Sequence, residues 1–221
     1  MLTRSLTLVA LALLSAACGE STSDTGGTGG TSSDAGSDVV IDAEPPVEAG
    51  ACNALAQHWP NFGQTHVEIC SDVSYPSSPP TSGNHYGSWP QFKTYADPLP
   101  YGFMVHGMEH GAVVFSYNCP SGCADEVARA QKLIDEQLPG DVFCAAQGVD
   151  RQRVILTPDP GLKSKWAAAA WQWSLNADCF DEETFLNFYE AHYDQAPEHI
   201  CSDGIDVSPE GGIPEDCGPP R

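Results

Sequence analysis

The sequence contains few basic residues, because 9 Lys and Arg stand against 30 Asp and Glu, for a formal net charge of −21. A chain this acidic repels phosphate backbones and anionic lipid surfaces. We therefore expect no nucleic-acid partner. It also lacks a Gly-x-Ser-x-Gly elbow, a phosphate-binding loop and a dinucleotide fingerprint. The common hydrolase and nucleotide-binding classes therefore have no support in the sequence.

The first apolar run is too short to cross a bilayer. Arg4 precedes apolar residues 6–14, which are followed by Ser15-Ala16-Ala17 and then Cys18. This order resembles a bacterial lipoprotein signal, except that Ser15 stands where leucine is usual. The resemblance implies that residues 1–17 are a signal peptide and that Cys18 is lipidated. Ordinary secretion with cleavage nearby is the alternative, and both interpretations export the protein.

Residues 18–51 are rich in Ser, Thr, Gly and Asp and hold almost no large apolar side chain. Such a segment cannot bury enough surface to offset the entropy of ordering it. We expect a lipidated cysteine followed by a disordered acidic tether, and then a single globular domain over residues 52–221. The protein would be extracytoplasmic, anchored by its lipid to a bacterial membrane on the periplasmic side or at the cell surface. No protein partner is indicated.

Eight cysteines follow Cys18, an even number that predicts a disulfide framework in an exported chain. Proximity along the chain favours two pairs, Cys119 with Cys123 and Cys201 with Cys217. The candidate cysteines are Cys52, Cys70, Cys119, Cys123, Cys144, Cys179, Cys201 and Cys217.

The hydrophobic pattern predicts an α+β fold, a small layered sandwich of a few-stranded sheet with two helices, stapled by disulfides. Residues 75–100 are rich in proline and aromatic residues and should form an irregular arm over the sheet. Residues 166–175 are ambiguous, since four alanines favour a helix and Trp-Gln-Trp alternates like a strand. The remaining predicted elements are strands at 111–117 and 154–156 and helices at 124–138 and from the cap Asp181 to about 193.

Three histidines lie in constrained local sequence, His85 in the arm and His106 and His110 in the segment His-Gly-Met-Glu-His-Gly. Neutral imidazole is the commonest protein ligand of transition metals. Were residues 104–110 extended, the backbones of His106 and His110 would lie ~13 Å apart, too far for one ion. A short helical turn would bring them together, with His85 arriving from the arm as third ligand. The candidate ligands are His85, His106, His110, Glu109, Met104 and Met108.

The arrangement of these motifs resembles a family of bacterial secreted proteins known as domain of unknown function 3105. The resemblance covers about residues 75–198 and implies no established activity. It rests on four segments in order: Pro79-Pro80-Thr81-Ser82-Gly83 with His85; Val105-His106 with Glu109-His110-Gly111; Ala170-Trp171; and Ala196-Pro197-Glu198.

The sequence favours a metal-binding protein that handles or delivers a transition metal, without catalytic residues. Three imidazoles with Glu109 or water suit zinc, whereas imidazole with the thioether of Met104 or Met108 suits copper. We prefer copper. Two alternatives remain: histidines that serve only structure in a partner-binding lipoprotein, and a zinc hydrolase using His106-x-x-Glu109-His110.

Other features have a structural interpretation that we prefer. Cys119-Pro-Ser-Gly-Cys123 could be a redox centre at a helix N-terminus, but its spacing favours a structural bridge. Tryptophans 89, 171 and 173 could form a partner surface, although such residues more often fill a core. The other histidines have no partner pattern, and each is predicted to be structural: His58, His66, His192 and His199.

Overall fold

The computed structural model describes residues 52–220. The expected signal peptide (1–17), the lipidation site Cys18 and the tether (18–51) lie outside the described residues. Within them, no helix is long and apolar enough to cross a membrane. In chain order the elements are β1 (Ala54–His58), β2 (His66–Val67), β3 (His85–Tyr86), α1 (Tyr101–Glu109), β4 (Val113–Tyr117), α2 (Ala124–Glu136), α3 (Val142–Ala145), β5 (Val154–Pro158), β6 (Trp166–Ala170), β7 (Trp173–Ala177) and α4 (Glu182–His192).

A five-stranded mixed sheet in the order β1-β7-β6-β4-β5 forms the centre of the fold. Strands β4 and β5 are parallel, and the other neighbouring pairs are antiparallel. The ambiguous segment is a hairpin, β6 and β7, whose turn includes Gln172 with a positive φ of 65°. The alanine run is therefore a strand. Ala168 contacts one core cluster and Ala169 the other, so alternate small side chains serve both faces of a buried strand.

The sheet lies between two layers. Helices α2 and α4 contact each other and cover one face, where Phe115 and Trp166 join the larger core cluster. Helix α1 and the arm cover the other face, where Val114 and Ile155 join the second cluster. The predicted α+β class with disulfides is confirmed, with α1 and the short α3 added to the two expected helices. Helix α4 begins as predicted, since the Asp181 side chain accepts a hydrogen bond from the Thr184 amide.

All eight predicted cysteines are paired, in the bridges Cys52–Cys179, Cys70–Cys217, Cys119–Cys123 and Cys144–Cys201. The expected Cys119–Cys123 bridge is present, and the expected Cys201–Cys217 bridge is wrong. The three other bridges join residues 57 to 147 positions apart, which come together only in the folded chain. Proximity in sequence could not find them.

Candidate metal centre

The segment carrying His106 and His110 is the end of a nine-residue helix, where a short turn was expected. Helix α1 ends in a Schellman motif. The Gly111 amide donates a hydrogen bond to the Met108 carbonyl, and the Ala112 amide donates one to the Gly107 carbonyl. Gly111 has a φ of 92°, which a glycine adopts without strain. The start was missed because Pro100 offers no side-chain cap and the first turn holds no acidic residue.

A second glycine sets the distance between α1 and the arm. A Cβ at Gly102 would lie 2.6–2.7 Å from ring atoms of Tyr86, so only glycine lets α1 approach β3 this closely. The Tyr86 carbonyl in turn accepts a hydrogen bond from Nδ1 of His106, at 2.6 Å. His85 precedes Tyr86 in β3, and its ring centroid lies 4.8 Å from that of His106. The arm therefore folds back onto α1, as the sequence predicted.

His66 joins this group, although it was predicted to be structural. Strands β2 and β3 are parallel with His66 opposite His85, and the two ring centroids are 4.9 Å apart. The side chain of His66 is 56% exposed, whereas that of His85 is buried. A two-residue strand that pairs across a loop has no sequence pattern of its own, so no local signal identified His66.

Four side chains have ligand atoms that all lie within 4.8 Å of one another: those of His66, His85, His106 and Glu109. Oε2 of Glu109 lies 2.9 Å from Nε2 of His85 and 3.7 Å from Nε2 of His66. The close contact with His85 does not have the geometry of a hydrogen bond, because its Nε2 has no hydrogen-bond partner within the described chain. The four ligand atoms thus lie close together, and Nε2 of His85 is left without a hydrogen bond.

Backbone carbonyls determine which nitrogen of each buried ring carries its proton. Nδ1 of His85 lies 2.8 Å from the Gly83 carbonyl, and Nδ1 of His106 lies 2.6 Å from the Tyr86 carbonyl. A carbonyl only accepts, so both neutral rings are protonated at Nδ1 and present the lone pair at Nε2. Both rings therefore have Nε2 available to bind a cation, and Nε2 of His85 lies 2.9 Å from the Glu109 carboxylate. This is the orientation that second hydrogen bonds impose on metal-binding histidines.

Burial keeps these imidazoles uncharged. Desolvation lowers the pKa of His85, and it lowers the pKa of His106 to about 4 and that of His110 to about 3. Burial also raises the pKa of Glu109, with the charge of Glu198 acting in the same direction. At neutral pH the histidines are thus in the form that binds a metal, and a cation beside Glu109 would favour its ionised form.

His110 belongs to a neighbouring group with Glu109 and Glu198. Its Nε2 lies 3.1 Å from Nε2 of His106 and 3.1 Å from Oε2 of Glu198. Glu198 follows α4 in the sequence, and its backbone amide donates a hydrogen bond of 3.0 Å to the Glu109 carbonyl. Sequence reasoning noted Glu198 only as part of a family motif, because a residue 88 positions beyond His110 gives no sign of contact with it.

Met104 and Met108 do not share this surface of α1. Residues two positions apart on a helix point about 200° apart, which puts both thioethers away from the His106 face. Both side chains are fully buried in the second core cluster. The argument for copper from a thioether ligand therefore has no support in the geometry.

Two tryptophans border the histidines. The Trp89 ring centroid lies 4.4 Å from that of His110 and 5.4 Å from that of His106. Trp171 meets His85 edge-on at 6.4 Å. These two rings therefore pack against the cluster, whereas Trp173 stacks on His192 elsewhere. The partner-surface interpretation is weakened, since Trp171 is buried.

A buried arginine supports the end of α1. Arg153 donates to the carbonyl of His110 and to the carboxylates of Asp141 and Asp194. The two carboxylates pair with the guanidinium charge. Arg153 therefore stabilises the helix end without adding an unpaired charge next to the cluster. The sequence offered no indication of this role, since the three partners come from separate segments.

The chain matches the family model "Protein of unknown function (DUF3105)" over residues 66–203. It belongs to this family. No curated protein and no solved structure matches the chain. The four segments on which the resemblance rests meet at one place in the fold, since they supply His85, the His106–His110 segment, Trp171 and Glu198. The matched region also includes His66.

Proposed function

We propose that this DUF3105 protein binds a divalent transition metal ion through His66, His85, His106 and Glu109, and that it handles or delivers the ion. One observation carries the proposal. Two buried imidazoles have their Nδ1 atoms against backbone carbonyls, so each presents a lone pair at Nε2, and that of His85 lies 2.9 Å from the Glu109 carboxylate without a hydrogen bond. A buried set of acceptors without a proton donor is unfavourable unless a cation or a shared proton lies among them.

The donor set indicates the kind of ion. Three imidazole nitrogens and one carboxylate oxygen suit zinc in a four-coordinate site, and Cu(II) binds such donors more tightly than other divalent ions of the first row. The preference for copper based on thioethers is therefore replaced by a broader proposal, Zn(II) or Cu(II). The half-exposed His66 would meet an incoming ion first, and the buried ligands would complete its coordination.

The geometry favours metal handling over a zinc hydrolase. In the inverted zinc-peptidase motif His106 and His110 would bind zinc while Glu109 activates water. Here the Glu109 carboxylate lies 2.9 Å from His85 and 3.7 Å from His66, which favours a role as a ligand over a role as a base. The structural alternative would require each buried histidine to be satisfied by the protein, and Nε2 of His85 is not.

Metal titration tests the proposal. We expect the full chain, purified with its disulfides intact, to bind Zn(II) and Cu(II), and His85→Ala and His106→Ala to lower the affinity at least about tenfold. His58→Ala is the matched control, because His58 is exposed and lies apart from the cluster. Parental affinity in both cluster variants would refute the metal site. A peptidase activity lost in a zinc-retaining Glu109→Gln variant would favour the hydrolase.

We also propose that the protein acts outside the cytoplasm, held to a membrane by a lipid on Cys18. Four disulfides support export, since such bridges persist in oxidising compartments. Cell fractionation tests the anchor. Cys18→Ser should move the protein from the membrane fraction to the soluble fraction, and an unchanged distribution would contradict the proposal.

A further inference from the structure

Two potential ligands remain unused by an ion at the four-residue site. His110 is 1% exposed, and its Nε2 lies 3.1 Å from both Oε2 of Glu198 and Nε2 of His106. Because Nδ1 of His106 donates to a carbonyl, Nε2 of His106 is an acceptor. Nε2 of His110 therefore has acceptors on two sides, and a single proton on it satisfies only one of them.

His110 is not held by hydrogen bonding at its other nitrogen. Its Nδ1 is buried and makes no hydrogen bond within residues 52–220, unlike Nδ1 of His85 and of His106. A histidine kept for structure alone would have its buried nitrogens paired. The ring is instead placed by α1 and by the Trp89 side chain, with Nε2 facing the carboxylate of Glu198.

Glu109 connects the two groups. It lies within 4.8 Å of the ligand atoms of the three-histidine set and equally within 4.8 Å of those of His110 and Glu198. A carboxylate has two oxygens and can bind one ion through each. The Glu198 amide is hydrogen bonded to the Glu109 carbonyl, and carboxylate oxygens of the two residues lie within 4.8 Å of each other. Like charges at this distance repel unless a cation lies between them.

We propose a second metal position formed by Glu109, His110 and Glu198, with Glu109 bridging two divalent transition metal ions. The inference rests on the proposed function, since the first ion occupies the three-histidine site. The side chain of Glu198 is 49% exposed, which gives the second position its own contact with solvent. The second ion would therefore be the more weakly bound and the more readily exchanged, as a protein that passes ions to a partner requires.

Stoichiometry and spin coupling test the bridge. We expect the full chain to bind two Cu(II) ions, the first giving a mononuclear EPR signal. The second should reduce the signal per copper, because two ions joined by a carboxylate at about 3.5–4 Å couple magnetically. Glu198→Gln should lower the stoichiometry from two to one while the first affinity changes less than threefold. His110→Ala should give the same result, and the exposed Glu190→Gln should still bind two.

Each outcome decides one of the two proposals. One ion at saturation in the parent protein overturns the second position and leaves the first site intact. Two ions with additive EPR signals, or two ions retained in both Glu198→Gln and His110→Ala, overturn the bridge at this location. No bound ion in the parent overturns the proposed function itself.

Discussion

The contact between α1 and β3 yields a pair of substitutions whose effects should differ in sign. Gly102 and Gly107 both lie in α1, and both are buried. A methyl group at Gly102 would lie 2.6–2.7 Å from the Tyr86 ring, about 1 Å inside ordinary contact. A methyl group at Gly107 would meet side chains of Ile155, Phe92 and Pro90 at 3.6 Å, which is ordinary contact.

The magnitudes follow from packing and helix propensity. Alanine for glycine in a helix stabilises by about 0.5–1 kcal/mol when nothing clashes, so Gly107→Ala should be neutral or more stable than the parent. Gly102→Ala has the same favourable change in helix propensity, but its methyl group forces α1 away from Tyr86. Overpacking of a buried contact costs about 1–3 kcal/mol. The two variants should differ by about 2 kcal/mol, or about 4–8 °C in Tm for a domain of this size.

The same displacement should also change the geometry of the candidate metal centre. Tyr86 carries the carbonyl that holds Nδ1 of His106, so moving α1 from β3 changes the distance between His106 and His85. We expect Gly102→Ala to bind Zn(II) more weakly and Gly107→Ala to bind it like the parent. Urea denaturation and zinc titration of both variants measure the two effects. A Gly102→Ala protein as stable as Gly107→Ala would refute this account of the packing.

Three further predictions concern the rest of the fold. Asp181→Ala removes the cap of α4 and should cost about 1 kcal/mol in urea denaturation, with loss of less than 0.3 kcal/mol counting against the cap. Burial lowers the pKa of His192 to about 4, below its unfolded value of about 6.5, so His192 contributes stability above pH 6.5 that is lost as pH falls towards 4. His192→Gln should flatten this part of the pH–stability curve of the metal-free protein, and an unchanged slope would contradict the assignment. Serine replacement of the Cys144–Cys201 pair, whose cysteines are 57 positions apart, should destabilise by about 2 kcal/mol more than replacement of Cys119–Cys123, whose cysteines are 4 apart, because loop entropy grows with length. Equal losses in thermal unfolding would refute that order.

Elements with local signals could be predicted from the sequence. Strand β4 is a run of β-branched and aromatic residues, and α4 has an acidic cap and an aromatic face. Strand β1 has the sequence Ala-Leu-Ala-Gln-His, which carries no strand preference, and it is a strand because all five residues pair with β7. A strand made by its partner, more than a hundred residues away, leaves no local pattern.

The candidate centre divides in the same way. His85, His106, His110 and Glu109 could be found because rigid turns and close spacing single them out. His66 and Glu198 could not, since each is brought in by backbone pairing, His66 by β3 and Glu198 by the Glu109 carbonyl. The two thioethers are a different case. Met104 and Met108 are close to the histidines in sequence, but the helical period directs them into the core.

The protein itself orients the buried side chains of the candidate metal centre. The Gly83 and Tyr86 carbonyls orient the rings of His85 and His106. Arg153 holds the end of α1 by donating a hydrogen bond to the His110 carbonyl. The segment between β2 and the arm is tied to the C-terminal segment by Cys70–Cys217. A site whose ligands are already oriented pays little conformational entropy when it binds. Metal binding should therefore be separable from folding here, in contrast to zinc-finger domains whose fold forms only with the metal. Under the proposed function, this separation would let an ion enter and leave through the exposed His66 and Glu198 while the fold persists.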